Sequence, residues 1–313
     1  MLALALGAAS CPAWAQAAAQ PAAKQPAPTK PAPGASGSPD PAPADELELQ
    51  QMVRVVAEPA TVEELLDALE VADRDVKTFQ AQLMLDKRFY LQGDRHVRYG
   101  DLYYKRVENP GSAAPGRTFA IDFRTLVVDG ARRDERNTWI FDGRWLVERR
   151  PAEKKYIARQ IAPDSAPLDT LRLDESPMPF PMGQPRAAIL ERYDAQLLKS
   201  HDGLAPPQDA DEAEEKQWRF LRESAGDAYQ LKLTPRGPFA QESQFTQIRL
   251  WYERDTLLPR MAWTTNRADD ESIVVLIGGR LNEDVPPHAM KIEPPKDDEG
   301  WDVQVESLPD GPG

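Results

Sequence analysis

From Phe79 onward, apolar residues recur at every second position. Phe79, Ala81, Leu83 and Leu85 alternate with Gln80, Gln82, Met84 and Asp86, and Phe89 and Tyr90 extend the run to a turn at Gly93-Asp94. A period of two sends successive side chains to opposite faces of an extended chain, so this stretch predicts a strand. The same reading gives strands over His96 to Val107, Phe119 to Phe123 and Trp139 to Phe141. Asp142-Gly143 is a two-residue hairpin turn, with Trp145 to Arg149 returning and Tyr156 to Ile161 following. Strands resume with Trp218 to Arg222 and with the alternating sets Tyr229/Leu231/Leu233, Ile248/Leu250/Tyr252 and Met261/Trp263/Thr265. A last apolar run covers Ile273 to Ile277.

Helical spacing appears in only a few places. Thr61-Val62-Glu63-Glu64 is a capping box, and Leu65, Leu66, Leu69 and Ala72 then form one stripe that ends near Asp75. Arg186 to Leu198 predicts a second helix, with Ile189, Leu190, Tyr193 and Leu197 on one side, and residues 45–56 a short one. Residues 163–185 are Pro-rich and irregular. Residues 203–216 read as an acidic loop around Pro206-Pro207, and the segment from Pro295 as a loose acidic tail. One helix, about six strands, a helix and about five strands predict an antiparallel sheet, curled or sandwiched, and not a doubly wound fold.

Composition changes the picture at the N-terminus. Nine of the 30 prolines fall in the first 44 residues, within a run rich in Ala, Gln, Gly and Ser. Such a segment cannot bury enough apolar surface to offset its ordering entropy, and predicts a disordered arm over 16–58. Ahead of it, Met1 to Ala9 is apolar and Ala13-Trp14-Ala15 is a small-x-small cleavage site, so residues 1–15 read as a secretory signal. The single cysteine, Cys11, would leave with that signal; the rival reading makes it a lipidated anchor behind Ala8-Ala9-Ser10. The net charge of -13, with no basic run, argues against a nucleic-acid ligand.

Candidate chemistry is sparse. His96, His201 and His288 stand far apart, without the spacing of metal ligands. Nucleophile-elbow, dinucleotide-binding and phosphate-loop motifs are missing. A carboxylate-based hydrolase is the one enzymatic alternative, but among 51 acidic residues any chosen pair reads as solvated surface. More telling are strands that are apolar on both faces: Leu83 beside Met84, Tyr103 beside Tyr104, and Ile140 between Trp139 and Phe141. Either a thick sandwich core or a curled sheet lining a cavity would need that.

Six segments in order carry a family resemblance. They are Gly100-Asp101-Leu102-Tyr103-Tyr104-Lys105-Arg106, Phe119 to Phe123, Trp139 to Leu146, Pro181 to Leu190, Tyr229 to Arg236, and Met290 to Pro295. Together they resemble the LolA family of periplasmic lipoprotein carriers, whose fold RseB-like stress sensors share. The likeness covers about residues 60–295, and residues 59–295 are taken as the domain, with 296–313 as its tail. It implies an unclosed, strongly curved antiparallel β-barrel of about 11 strands in an α+β chain, with helices covering an apolar cavity. The cavity candidates are Leu83, Met84, Leu102, Tyr104, Phe119, Ile121, Phe123, Trp139 and Phe141. Arg106 stands where the family's gating arginine lies, and Leu102, Tyr104 and Arg106 share a face. The implied function is periplasmic transfer of acylated lipoprotein, or another lipid, from an inner-membrane donor complex to an outer-membrane acceptor, by a monomer without cofactor or catalytic step. A sensing module of the same fold, without shuttling, is the alternative. The sequence departs from the pattern at Val107, where the family carries proline, and in apparent insertions at 108–116, 163–180 and 203–216.

N-terminal sequencing of the exported protein is expected to begin at Gln16; a diacylated Cys11 as first residue would refute this. Deleting residues 16–44 is expected to leave the melting temperature of the domain unchanged.

Overall fold

The computed structural model describes residues 59, 61–72, 74–107, 116–161, 183–296 and 299–308. The signal segment, the arm, the helix expected over 45–56 and the segments 108–115 and 163–180 lie outside these residues.

Twelve strands form one sheet. The first six are β1 (Thr78–Phe89), β2 (Asp94–Val107), β3 (Gly116–Val128), β4 (Ala131–Phe141), β5 (Trp145–Arg150) and β6 (Lys155–Gln160). The second six are β7 (Tyr193–Leu198), β8 (Ala228–Pro235), β9 (Phe245–Glu253), β10 (Pro259–Asn266), β11 (Glu271–Leu281) and β12 (Asp302–Glu306). Their spatial order is β12-β6-β5-β4-β3-β2-β1-β11-β10-β9-β8-β7. Every pairing is antiparallel except β12 with β6. β12 and β7 end the sheet without pairing to each other, so the barrel is unclosed, as expected. Among the described residues four α-helices accompany it: α1 (Val62–Ala72), α2 (Arg186–Arg192), α3 (Glu212–Ala225) and the short α4 (Phe239–Glu242).

Register explains the two-sided apolar pattern. Leu85, Val274, Ala262, Leu250, Leu231 and Leu197 are successive cross-strand partners and form one row over six strands. Met84, Val275, Met261 and Trp251 form the parallel row on the other face. The first face turns inward and carries α1 and α2 over β8–β10. The outer face is covered twice. Leu221 and Ala225 of α3 pack on Trp251, Met261 and Ile273, while Ala289, Met290 and Ile292 pack near Tyr156 and Ile140. A buried carboxylate ties α3 down: fully buried Asp86 accepts from Nε and Nη2 of Arg95, both at 2.9 Å, and from Nε2 of Gln217 at 2.8 Å.

Five register shifts interrupt the ladders of the described residues, at Gln80/Gln82, Tyr99/Gly100, Phe123/Thr125, Pro259/Met261 and Thr265/Asn266. At Gly100 the strands approach so closely that an added Cβ would run into the Asp122 carbonyl oxygen and lie 2.9 Å from the Phe123 Cα. Only glycine fits such a bend.

Three elements differ from the sequence expectation. The helix expected over Arg186 to Leu198 ends at Arg192, because Tyr193 turns extended and Leu197 pairs with Leu231 on β8; edge pairing overrides helical spacing. Trp218 to Arg222, expected as a strand, lies within α3. Asp211 and Glu214 form a complete capping box there, and Leu221 and Ala225 are its buried side. Within the expected loose tail, Asp302–Glu306 forms β12 on the edge of β6.

Gly100→Ala is expected to destabilise the protein by about 2–3 kcal/mol, since backbone must move to admit the methyl group. Gly93→Ala, where nothing lies within 4 Å but φ is +69, is expected to cost only about 1 kcal/mol. Urea unfolding of the two variants checks the contrast.

Candidate functional site: the inner face and its covering helices

The inner face of β1–β5 is graded along the barrel axis. The row Phe79–Tyr104–Phe119–Phe141 is followed by Ala81–Leu102–Ile121–Trp139 and then by Leu83–Gly100–Phe123–Asn137. Phe79, Leu83, Leu102, Phe119, Ile121, Phe123 and Phe141 are buried, and Tyr104 and Trp139 partly so, in one cluster with Val76, Leu258 and Val274. Phe123 meets Trp139 edge to face at 5.2 Å between ring centroids, and Phe119 lies 5.4 Å from Phe141. Eight of the nine residues singled out from the sequence thus share one surface. Met84 does not: it lies on the outer face with Trp251 and Trp263, because it follows Leu83 on the same strand and alternation sends it the other way.

The two helices hold to the inner face of the strands β8–β10 by unequal means. α1 buries Leu65, Leu66 and Leu69 against Leu231, Leu250 and Ala262. Burial of three leucines is worth roughly 5–9 kcal/mol before ordering entropy is subtracted. Its start is fixed by the capping box: the Glu64 amide donates to Thr61 Oγ1 at 3.2 Å, and the Thr61 amide to Glu64 Oε2 at 3.3 Å. α2 is tied to α1 by polar contacts. Nη1 of Arg186 donates to Asp67 at 2.7 Å, its amide donates to Glu70 at 3.0 Å, and the Gly183 amide donates to the Leu69 carbonyl at 3.2 Å.

Two arginines join these helices to the rim of the sheet. Arg106 and Arg117 are direct cross-strand partners, one row beyond the apolar surface. Nη1 of Arg106 donates to the Arg74 carbonyl at 2.8 Å, just past the end of α1. Nη2 of Arg117 donates to the Gly183 carbonyl at 3.2 Å, just ahead of α2. Asn282, at φ 55, fixes the link between α1 and β1: its Oδ1 accepts from the Lys77 amide at 2.8 Å and its Nδ2 donates to the Asp75 carbonyl at 3.4 Å. Among the described residues, no group of three His, Cys, Asp or Glu side chains could hold a metal ion. No helix there is long and apolar enough to cross a membrane.

No family model and no curated protein matches this chain. Solved structures do. One is an uncharacterized conserved protein from Thermus thermophilus, at 12% identity and a TM-score of 0.38 over 79% of this chain and 98% of that one. Another is a chain of the Pseudomonas aeruginosa MucA/MucB complex, at 16% identity and a TM-score of 0.35 over 73% of this chain and 60% of that one. A third is a LolA superfamily protein from Nitrosomonas europaea, at 13% identity and a TM-score of 0.29 over 74% of this chain and 98% of that one. These overlaps are loose; the open, curved sheet is read from this chain's own strand order.

Arg117, Arg186 and Asn282 were not legible as site residues. Arg117 carries one signal: a hairpin register that pairs it with Arg106. Arg186 and Asn282 act across 119 and 205 residues of chain, and nothing local marks them.

The polar ties are expected to govern how readily the helices lift, while the leucines hold them down. Arg117→Leu and Arg186→Ala are each expected to speed amide exchange in 62–72 by about three- to tenfold, with stability lowered by less than about 1 kcal/mol. Hydrogen-exchange mass spectrometry beside a melting curve tests this; unchanged exchange would leave the leucines as the sole anchor.

Proposed function

We propose that the chain is a non-enzymatic carrier of the bacterial envelope, exported to the periplasm. It binds acyl chains of lipoproteins, or of another lipid, on the inner face and passes them toward the outer membrane. The observation that carries the reading is the apolar surface of Leu83, Leu102, Tyr104, Phe119, Ile121, Phe123, Trp139 and Phe141, with α1 and α2 packed over the strands β8–β10 of the same sheet and joined to its rim by individually weak polar ties. Acyl chains need apolar area and little directional bonding, which such a surface supplies. Most of those side chains are buried in one cluster, so cargo reaches them only as that cluster opens. Arg106 acts at that step: its planar fork reaches the chain just past α1 while its own amide donates to the Lys77 carbonyl at 2.8 Å.

Mass spectrometry of protein purified from the periplasm is expected to find acyl-bearing molecules at near one per chain; none at all would sink the reading. Transfer of a labelled acylated peptide from loaded protein to an acceptor protein is expected to change by about three- to tenfold in Arg106→Lys, which keeps the charge and loses the fork. The melting curve should stay nearly unmoved. Unchanged transfer in both Arg106→Lys and Arg106→Leu would remove Arg106 from the mechanism. Binding without release to any acceptor would favour a sensing module over a carrier.

A further inference from the structure

Beyond Trp139 the inner face changes character. Along β1, Leu83 and Leu85 give way to Lys87; along β2, Leu102 and Gly100 give way to Arg98; along β4, Phe141 and Trp139 give way to Asn137; along β5, Leu146 gives way to Glu148. These side chains line a concavity of about 510 Å³ at the end of the barrel away from α1 and α2, and Trp139 forms the border between it and the apolar surface.

Most of its charges are already matched. Nε of Arg98 donates to both oxygens of Glu135 at 2.9 and 3.1 Å. Arg150 donates to Glu148 at 2.8 Å and Asn137 Nδ2 to the same carboxylate at 3.3 Å. Burial works against the charge of Glu148, yet these donors and Trp139 hold its pKa below the ordinary carboxylate value. Arg133 and Asp134 stand exposed at the rim.

Two groups are left over. The Lys87 ammonium lies 5.7 Å from the centre of the Trp139 ring and has no carboxylate within 4.0 Å among the described residues. The Asn137 Oδ1 is buried and has no donor. A cation with no carboxylate in contact and a buried acceptor without a donor, both lining one concavity at the end of a greasy surface, are what the polar end of an amphiphile would satisfy.

We infer that this charged end is a headgroup subsite: it takes the anionic group of a lipid whose chains lie on the apolar rows, with Lys87 donating to the anion and Asn137 Oδ1 accepting from a hydroxyl or N–H beside it. The inference rests on the carrier reading and adds to it the chemical class of cargo. Burial, and then the charge of Arg98, lower the pKa of Lys87, and the charge of Glu148 offsets this only in part, so an incoming anion relieves an existing electrostatic cost.

The test is calorimetric titration of the full exported chain with short-chain phosphatidylglycerol, with phosphatidylcholine of the same chain length, and with inorganic phosphate. The wild-type protein is expected to bind the phosphatidylglycerol about tenfold more tightly than the phosphatidylcholine, as one charge-assisted contact requires. Lys87→Met is expected to abolish that preference, and Lys87→Arg to restore it. Lys87→Gln serves as a second neutral variant, and melting curves of all three should match or exceed the wild type. Equal binding of the two lipids, or a preference that survives in Lys87→Met and Lys87→Gln, overturns the subsite and leaves the carrier reading standing. Binding of neither lipid overturns both. Inorganic phosphate bound as tightly as the lipid identifies a free anion as ligand and overturns the headgroup assignment.

Discussion

Met84 and Leu85 are neighbours on one strand, point to opposite faces and are both buried. That pair sets the problem the molecule has to solve, because a sheet apolar on both faces must be covered on both. Curling answers half of it. The register shifts near Gly100 and Phe123 bend β2 and β3, and the inward side chains of β1–β4 and β11 then pack in one cluster. The outer face cannot be covered that way and draws on appended segments, α3 on one side and the stretch through Ala289 and Ile292 on the other.

The division of labour among the covering helices follows from magnitudes. Three buried leucines outweigh any of the exposed ion pairs several-fold, so α1 is anchored by its stripe and merely steered by Arg106. α2 has only Ile189 fully buried, and its ties to Asp67 and Glu70 make it an extension of α1. The two helices therefore belong to one unit, joined to the sheet rim through the paired arginines of β2 and β3. The inner face below is polar at both ends and apolar between, a profile that suits a bound molecule with two chemically different ends.

Much of this was readable from the residues alone. Alternation located nearly all the strands, the Thr61 capping box located α1, and the Leu102–Tyr104–Arg106 spacing put the arginine in line with the aromatic rows. What failed had physical causes. Tyr193 carries helical spacing but is taken into an edge strand by β8. Trp218 to Leu221 is apolar enough to pass for strand, and the Asp211–Glu214 box that declares it helical is short and lies within an acidic run. Met84 is as apolar as its neighbour, and only the pleat decides which face it serves. The charged row of Lys87, Arg98, Asn137 and Glu148 comes from four strands, and no window of sequence contains it.

The parallel seating of β12 beside β6 has a consequence for the order of events during folding. β1 waits for β11, and β6 waits for a strand that begins at Asp302, so the half-barrel of β1–β6 keeps one edge open until β11 pairs and the other until β12 does. Long-range pairing of this kind slows folding. Until β11 pairs, Leu83, Ile121 and Phe123 face water beside two unsatisfied strand edges, which is the condition that favours aggregation. The folding chain is thus at its most vulnerable before β11 arrives, and the β6 edge stays open longest.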